Sequence, residues 1–361
     1  MAIEFNERVA RIPVYPAASA YALPEDVALL ASNEAPDPPL PAVQEAVAKV
    51  LGGLNRYPDP TNALLRRALS DRTEVPPHRI AIGNGSCDIL LAAGDALLEP
   101  GAELVYAWPS FSVYPHLEAA SGARGIRVPL NDRQEHDLDA MAAEITAATR
   151  LVIVCNPNNP TSTAIPLADI ARFLEKVPRH VCVLLDEAYC EYNTLEDPDS
   201  SIDLLKKHDN LVLLRTFSKI YGLCGLRVGY ALCGGDEFPT AVNQVRQPFF
   251  CNQAAQAAAI EALKHQDAVA ERVERAVIAR VELESGLAEL GITPADSQAN
   301  FAWFDLPDGY EEKAIVDGLA ARGVLVRAGS ALGREGALRV TYGTPQQNDR
   351  FLHELGVLLG A

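Results

Sequence analysis

The 361-residue chain is short of positive charge. Its 31 lysines and arginines face 48 aspartates and glutamates, a formal net charge of −17. Such a surface repels polyphosphates and anionic lipid, so neither nucleic acid nor membrane is expected as a partner. No pair of the seven cysteines has C-x-x-C spacing. Several sit in apolar runs such as "VIVC" and "VCVLL", which suits small buried hydrophobes in a reducing compartment. The seven histidines lack metal-ligand spacing with one another or with cysteine, so no metal site is expected. No apolar run approaches the ~20 residues of a membrane span, and the opening "MAIEFNERVARIP" is charged rather than secretory. A cytoplasmic protein is the expectation. The acidic strand end "VLLDEA" (183–188) has no companion G-x-x-x-x-G-K-[ST] loop, and "GNGSCD" (83–88) carries Asp88 where a dinucleotide fingerprint needs its third glycine. Nucleotide chemistry is therefore disfavoured.

Hydrophobic residues make up 48% of the chain, enough for a large core, and the length suggests two domains. Residues 1–40 are proline-rich, aperiodic and read as an N-terminal arm. Residues 41–248 alternate short apolar runs with amphipathic stretches. The runs Ile80–Ile82, Leu104–Ala107, Leu151–Cys155, Val181–Leu185, Leu211–Leu214 and Val228–Leu232 are continuous rather than alternating. Strands buried on both faces of a largely parallel sheet look like this. Helices are expected at Ser86–Leu98 and Leu167–Val177. From residue 249 the texture becomes α+β, with long helices over Asn252–His265 and Asp267–Leu290. Strands are expected there at Asn300–Phe304, Val324–Val326 and Leu338–Thr341, with helices near Glu311–Ala321 and at the end. The expected fold class is α/β: a large domain with a mostly parallel sheet between helices, and a smaller α+β domain.

Open α/β sheets bind ligands beyond the carboxyl ends of their strands. Those ends carry Gly83–Cys87, Pro109–Phe111, Asn156–Thr161, Asp186 with Tyr189, and Thr216–Lys219. One lysine, one strand-end acid, a tyrosine, an asparagine and hydroxyls beside a helix start suit an aldehyde cofactor with a phosphate and a protonated ring nitrogen. Pyridoxal 5'-phosphate has these needs: a lysine for its aldehyde, a carboxylate against its pyridinium, and helix amides, hydroxyls and an arginine for its phosphate. Each residue alone has a plainer reading. A lone lysine is a surface charge, Asp186 could cap a helix, Phe111 could be core, and Tyr57 could be an ordinary turn tyrosine. His116, His136 and His265 read as solvated or capping residues, and Cys155 and Cys224 as packing. Arg339 differs, because a charge inside the apolar "ALRVTY" calls for an anionic partner.

The stretches "SNEAPDPPLPAV" (32–43), "NRYPDP" (55–60), "CNPNNPTST" (155–163), "DEAYCEY" (186–192), "RTFSKIYGLCGLRVGY" (215–230), "QANFAWF" (298–304) and "LRVTYGT" (338–344) occur in this order along most of the chain. Together they resemble the fold-type I, class I/II aminotransferases, and within them the histidinol-phosphate aminotransferase branch. The resemblance implies that Lys219 holds the cofactor aldehyde and moves the substrate proton. It makes Asp186 the pyridinium partner, and Tyr189 and Asn159 the partners of the phenolic oxygen. Phe111 becomes the ring-stacking residue, with Ser86, Cys87, Thr216, Ser218 and Arg227 as the phosphate cup. Tyr57 matches a residue that reaches the partner subunit's cofactor, which implies a homodimer. Arg339, Arg327, Tyr15 and Asn33 match substrate-side positions. Departures are Ser162 for a glycine, Phe111 for a tyrosine, Pro16-Ala17 for Pro-Gly, and "NEAP" for NENP. The expected reaction is transamination of histidinol phosphate with 2-oxoglutarate. The alternatives are an aromatic amino-acid aminotransferase and, behind it, an O-phosphothreonine-type decarboxylase.

Overall fold

The computed structural model describes residues 3–12 and 26–360. Its strands are β1 (Ala28–Leu29), β2 (Ile80–Gly83), β3 (Glu103–Trp108), β4 (Arg124–Pro129), β5 (Thr149–Cys155), β6 (Cys182–Asp186), β7 (Leu211–Thr216), β8 (Gly229–Cys233), β9 (Phe301–Asp305), β10 (Val324–Leu325), β11 (Arg327–Ala328) and β12 (Ala337–Thr341). Seven of them form one sheet in the order β2-β8-β7-β6-β5-β3-β4. Strand β8 runs antiparallel to both neighbours, and the other pairs are parallel. Every residue of β2, β7 and β8 is buried, which is why these strands read as unbroken apolar runs. Two core clusters lie on the two faces. One contains Val105, Val152, Val183 and Leu213, the other Leu104, Leu151, Leu184 and Val212, as expected for side chains that alternate along sandwiched strands.

All six expected strands of this sheet are present. The seventh, β4, is an edge strand with half of its residues exposed and three polar or proline residues, Arg124, Arg127 and Pro129. Such residues protect an edge from pairing and also hide it from a search for apolar runs.

A three-stranded antiparallel sheet, β11-β12-β9, belongs to the C-terminal part, packed with the helices Gln266–Glu289, Glu312–Ala321 and Pro345–Leu359. Thr344 and Gln347 form a reciprocal capping box at the start of the last helix. Part of the segment expected as an irregular arm is built into this half. Strand β1 pairs in parallel with β10, and Leu30 accepts a backbone hydrogen bond from Thr341. Among the described residues no helix is long and apolar enough to cross a membrane.

Candidate active site

The carboxyl ends of β5, β6 and β7 open into a cleft of about 220 Å³ facing β11 and β12. Lys219 reaches it through a tight turn after β7. Phe217, Ile220 and Leu223 are anchored in the core, while Leu223 N–H donates to the Phe217 carbonyl and Gly222 N–H to the Lys219 carbonyl. Gly222 has φ +68, a conformation natural to glycine. Between these anchors the Lys219 side chain is left in the cleft. Its Nζ donates to the carbonyls of Ser32 and Asn33, both at 3.1 Å, and stands 5.6 Å from the Tyr189 ring centroid. Desolvation, with the Arg339 charge next in size, lowers its pKa to about 8.

Asp186 ends β6 at 4% exposure. Its carboxylate accepts from Tyr114 Oη at 2.9 Å and from the Ala188 amide at 3.2 Å. Burial nevertheless outweighs both bonds and raises its pKa to about 6. A carboxylate in this position gains from a cation brought beside it. Tyr189, three residues on, is buried with its phenol pushed up by desolvation, and its Oη accepts from Asn33 Nδ2 at 2.9 Å. Asn159 Oδ1 accepts from Arg339 Nη1 at 2.6 Å, and Arg339 Nη2 donates to the Ala31 carbonyl at 2.6 Å.

The opposite end of the cleft is built for an anion. The helix Ser86–Leu97 points its N-terminus inward, where partial positive charge and backbone N–H groups converge. Arg227 lies over this end, so close that a Cβ on Gly85 would come within 2.3 Å of its Nη2. A Cβ on Gly229 would meet the Ser86 nitrogen at 2.4 Å. These two glycines let a guanidinium and a helix start crowd one spot. Arg227 also donates to Ser218 Oγ at 3.4 Å, and the Ser218 amide donates to Thr216 Oγ1 at 3.0 Å. Asp88, the acid in the helix's first turn, is engaged by Arg246 at 3.2 Å.

Ser86, Cys87, Phe111, Asn159, Asp186, Tyr189, Thr216, Ser218, Lys219, Arg227, Asn33, Arg327 and Arg339 all line this one cleft. Tyr57 does not. It is 80% exposed and stacks on Phe249 with ring centroids 4.5 Å apart. Tyr15 lies outside the described residues. Sequence reasoning missed Tyr114, whose hydroxyl steadies Asp186, and Leu332, which closes the cleft from the side of β11. It also misread His136, expected as solvated or capping. The side chain is 4% exposed and hydrogen-bonded within the core, because the turn carrying it folds under the Asn156–Thr163 loop.

A cleft with a lysine amine, a buried acid in need of a cation, and an anion cup at the far end fits pyridoxal phosphate in charge and in order. The fold and cleft are those of the fold-type I pyridoxal-phosphate transferases. Residues 25–355 match the family described as aminotransferase class I and II, and the chain belongs to that family. Among its relatives is a protein of Thermobifida fusca named aromatic amino acid aminotransferase, 44% identical over 90% of this chain and 88% of that protein. Another with the same name, from Corynebacterium glutamicum strain R, is 44% identical over 90% of this chain and 91% of its own length. Among solved structures, histidinol-phosphate aminotransferase from Sinorhizobium meliloti in complex with pyridoxal-5'-phosphate superposes with a TM-score of 0.83 at 29% identity. That match covers 92% of this chain and 90% of the other. The chain is thus a pyridoxal-phosphate-dependent aminotransferase. The histidinol-phosphate assignment expected from the motifs is overturned. The curated relatives, at 42–44% identity, carry the aromatic name instead. Most of the motifs lie around the cleft's Lys219, Asp186 and Arg227, and so speak to the family and not to the branch.

Proposed function

We propose that the protein transfers the amino group of aromatic amino acids to a 2-oxo acid. The observation that carries this reading is Arg339, 6% exposed, in a cleft closed from the side of β11 by Leu332. A carboxylate anchor beside an apolar wall suits an α-amino acid with an apolar ring, and the names of the relatives support the same choice.

When bound, pyridoxal phosphate supplies an aldehyde and an electron-withdrawing ring. The residues named here divide the remaining work. Lys219 is the residue that would hold the aldehyde, and its amine would move a proton at the substrate Cα. Asp186 keeps the ring nitrogen protonated. Tyr189 and Asn159 engage the phenolic oxygen, and Phe111 covers one face of the ring. Ser86, Cys87, Thr216, Ser218 and Arg227 hold the phosphate. Arg339, with Arg327, Asn33 and Tyr15 at the substrate side, grips the carboxylate. Two substrates then alternate through one site in ping-pong fashion. The same reading divides the chain into an arm (1–40), a large domain (41–248) and a small domain (249–361), except that residues 28–30 of the arm join the small half and the helix Gln253–Ala262 packs into the core of the large sheet.

With 2-oxoglutarate as acceptor, kcat/KM for phenylalanine exceeds that for alanine by about 100-fold, as expected when a ring is desolvated in an apolar pocket. Arg339→Met lowers kcat/KM for phenylalanine by about 100-fold, since truncating one partner of a buried charge pair costs roughly 2–5 kcal/mol. Steady-state kinetics check both. Equal turnover of alanine and phenylalanine would refute the aromatic assignment.

A homodimer belongs to this proposal. Leu51, Leu54, Tyr57 and Leu64 are each more than half exposed within a short stretch of chain, and Tyr57 stacks on the half-exposed Phe249. Exposed apolar groups gathered in this way suit an isologous contact between two copies. Tyr57 would then reach the phosphate end of the partner's cleft. Tyr57→Phe should weaken pyridoxal phosphate binding severalfold, the effect of one lost hydrogen bond, while light scattering still reports a dimer. Wild-type affinity in Tyr57→Phe would remove the residue from the partner site.

A further inference from the structure

A single turn, residues 131–136, touches two arms of the active site from behind. His136 Nε2 donates to Asn158 Oδ1 at 3.0 Å, and Ser110 Oγ donates to the same oxygen at 2.7 Å. Asn158 Nδ2 in turn donates to the Pro109 carbonyl at 3.2 Å and to Thr161 Oγ1 at 2.8 Å. One buried amide therefore joins the loop before Phe111 to the loop that carries Asn159. His136 fills the remaining acceptor position of that amide. Two residues earlier, the Gln134 carbonyl accepts from Thr163 Oγ1 at 2.8 Å, and its Oε1 accepts from Trp303 Nε1 at 2.8 Å. Trp303 is the register partner of Arg339 across β9 and β12, and Arg339 returns to Asn159 Oδ1. The contacts close a ring: Asn159, Asn158, His136, Gln134, Trp303, Arg339 and back to Asn159.

We propose that the turn 131–136 is a strut and that His136 and Gln134 are positioning residues, setting Asn159 and Arg339 at their working separation. The observations agree on several points. Asn158, Ser110, His136 and Thr163 are all buried, so their hydrogen bonds do not compete with water. Burial lowers the His136 pKa to about 4, so the ring stays neutral through the working range. With Nε2 facing an acceptor oxygen, it is a fixed donor. Gln134 itself holds φ +60, a conformation uncommon for a side-chain-bearing residue, and such positions persist where the surroundings over-determine them. The strut joins the large sheet's loops to the small sheet without entering the cleft.

The inference rests on the roles proposed above for Asn159 and Arg339, and its first readout needs no amino donor, so an error in the substrate class leaves it intact. A donor on the cofactor's phenolic oxygen draws off charge that would otherwise hold a proton. Loosening Asn159 therefore moves the pH titration of the enzyme's visible band upward. In His136→Leu, cofactor-loaded, the midpoint should rise by roughly half a unit to one unit, and kcat/KM should fall about tenfold, as for other supporting hydrogen bonds. Thermal unfolding controls for stability. His136→Gln keeps an N–H donor and should restore both readouts to within about threefold or a third of a unit. Asn159→Ala calibrates the band. The proposal is overturned by an unmoved band in His136→Leu or in Asn159→Ala, or by a His136→Gln variant as impaired as His136→Leu. If His136→Leu does not fold, Trp303→Phe decides. It removes the indole N–H together with part of a fully buried ring, and should raise the KM for the amino donor about fivefold at unchanged kcat, and an unchanged KM overturns the strut.

Discussion

Lys219→Ala lowers kcat by about 10⁴-fold, the upper end of what one positioned acid–base group contributes. The expectation follows from its surroundings. Among the described residues Lys219 is the one lysine lining the cleft, and no other of them there offers an amine. The turn that presents it is pinned by three buried apolar side chains, so a neighbouring residue cannot swing into its place. Added methylamine should recover part of the lost rate, because the truncated space admits a small amine and the chemistry asks only for a proton carrier. Single-turnover kinetics on the variant check this. A residual rate within tenfold of wild type would overturn the assignment.

The pH dependence of the same amine gives a second readout. A depressed pKa means that the uncharged, nucleophilic form is plentiful near neutrality. Protein stripped of cofactor should therefore reload with pyridoxal phosphate at a rate that climbs about tenfold per pH unit, up to about pH 8, and stays flat beyond. Among the charges around it, Arg339 contributes most to the depression, second to desolvation. Arg339→Met should accordingly move the break upward, toward the ordinary lysine range.

Most of the large sheet was legible because parallel strands buried on both faces leave continuous apolar runs. Strand β4 was not, because edge protection replaces that signal with arginine and proline. Lys219, Asp186 and the Ser86 helix start were legible for a related reason. Strand ends and helix starts are where the backbone itself supplies direction, and a polar residue just past an apolar run stands out. Tyr114 had no such mark. In "SVYPHL" it looks like a core aromatic, and its partner is Asp186, 72 positions away. His136 was misread for the same reason, since its burial comes from the packing of the Asn156–Thr163 loop above it and not from its neighbours in the chain. Tyr57 is the converse. Its exposure is plain in the fold, whereas the motif around it points toward a second chain. The branch of the family was the least legible feature. In the proposed site the amino donor would meet side chains from β11, β12, the turn carrying Leu332 and residues 31–33, which the fold gathers from far apart in the chain.

Asp186→Asn lowers kcat by about 10³-fold with a much smaller effect on cofactor retention. The carboxylate is almost dry, and its one side-chain donor is Tyr114. It is poised high, at about 6, because burial costs the charged form more than its hydrogen bonds return. A protonated ring nitrogen reverses that balance, since the ion pair stabilises both charges in a low-dielectric site. Asparagine keeps the shape and can still accept from Tyr114, but it cannot hold the ring cationic. The loss therefore falls on the step in which negative charge develops at the substrate Cα, and electrostatic terms of this kind are worth about 10²–10³-fold. The phosphate cup around Ser86, Ser218 and Arg227 is untouched, so equilibrium binding of pyridoxal phosphate should weaken by no more than about tenfold. The two effects separate in a single comparison of binding against kcat. A variant that lost both in equal measure would mean that Asp186 anchors the cofactor without tuning it. The ring would then be held cationic by some other group, and the raised pKa of Asp186 would have no part in the chemistry.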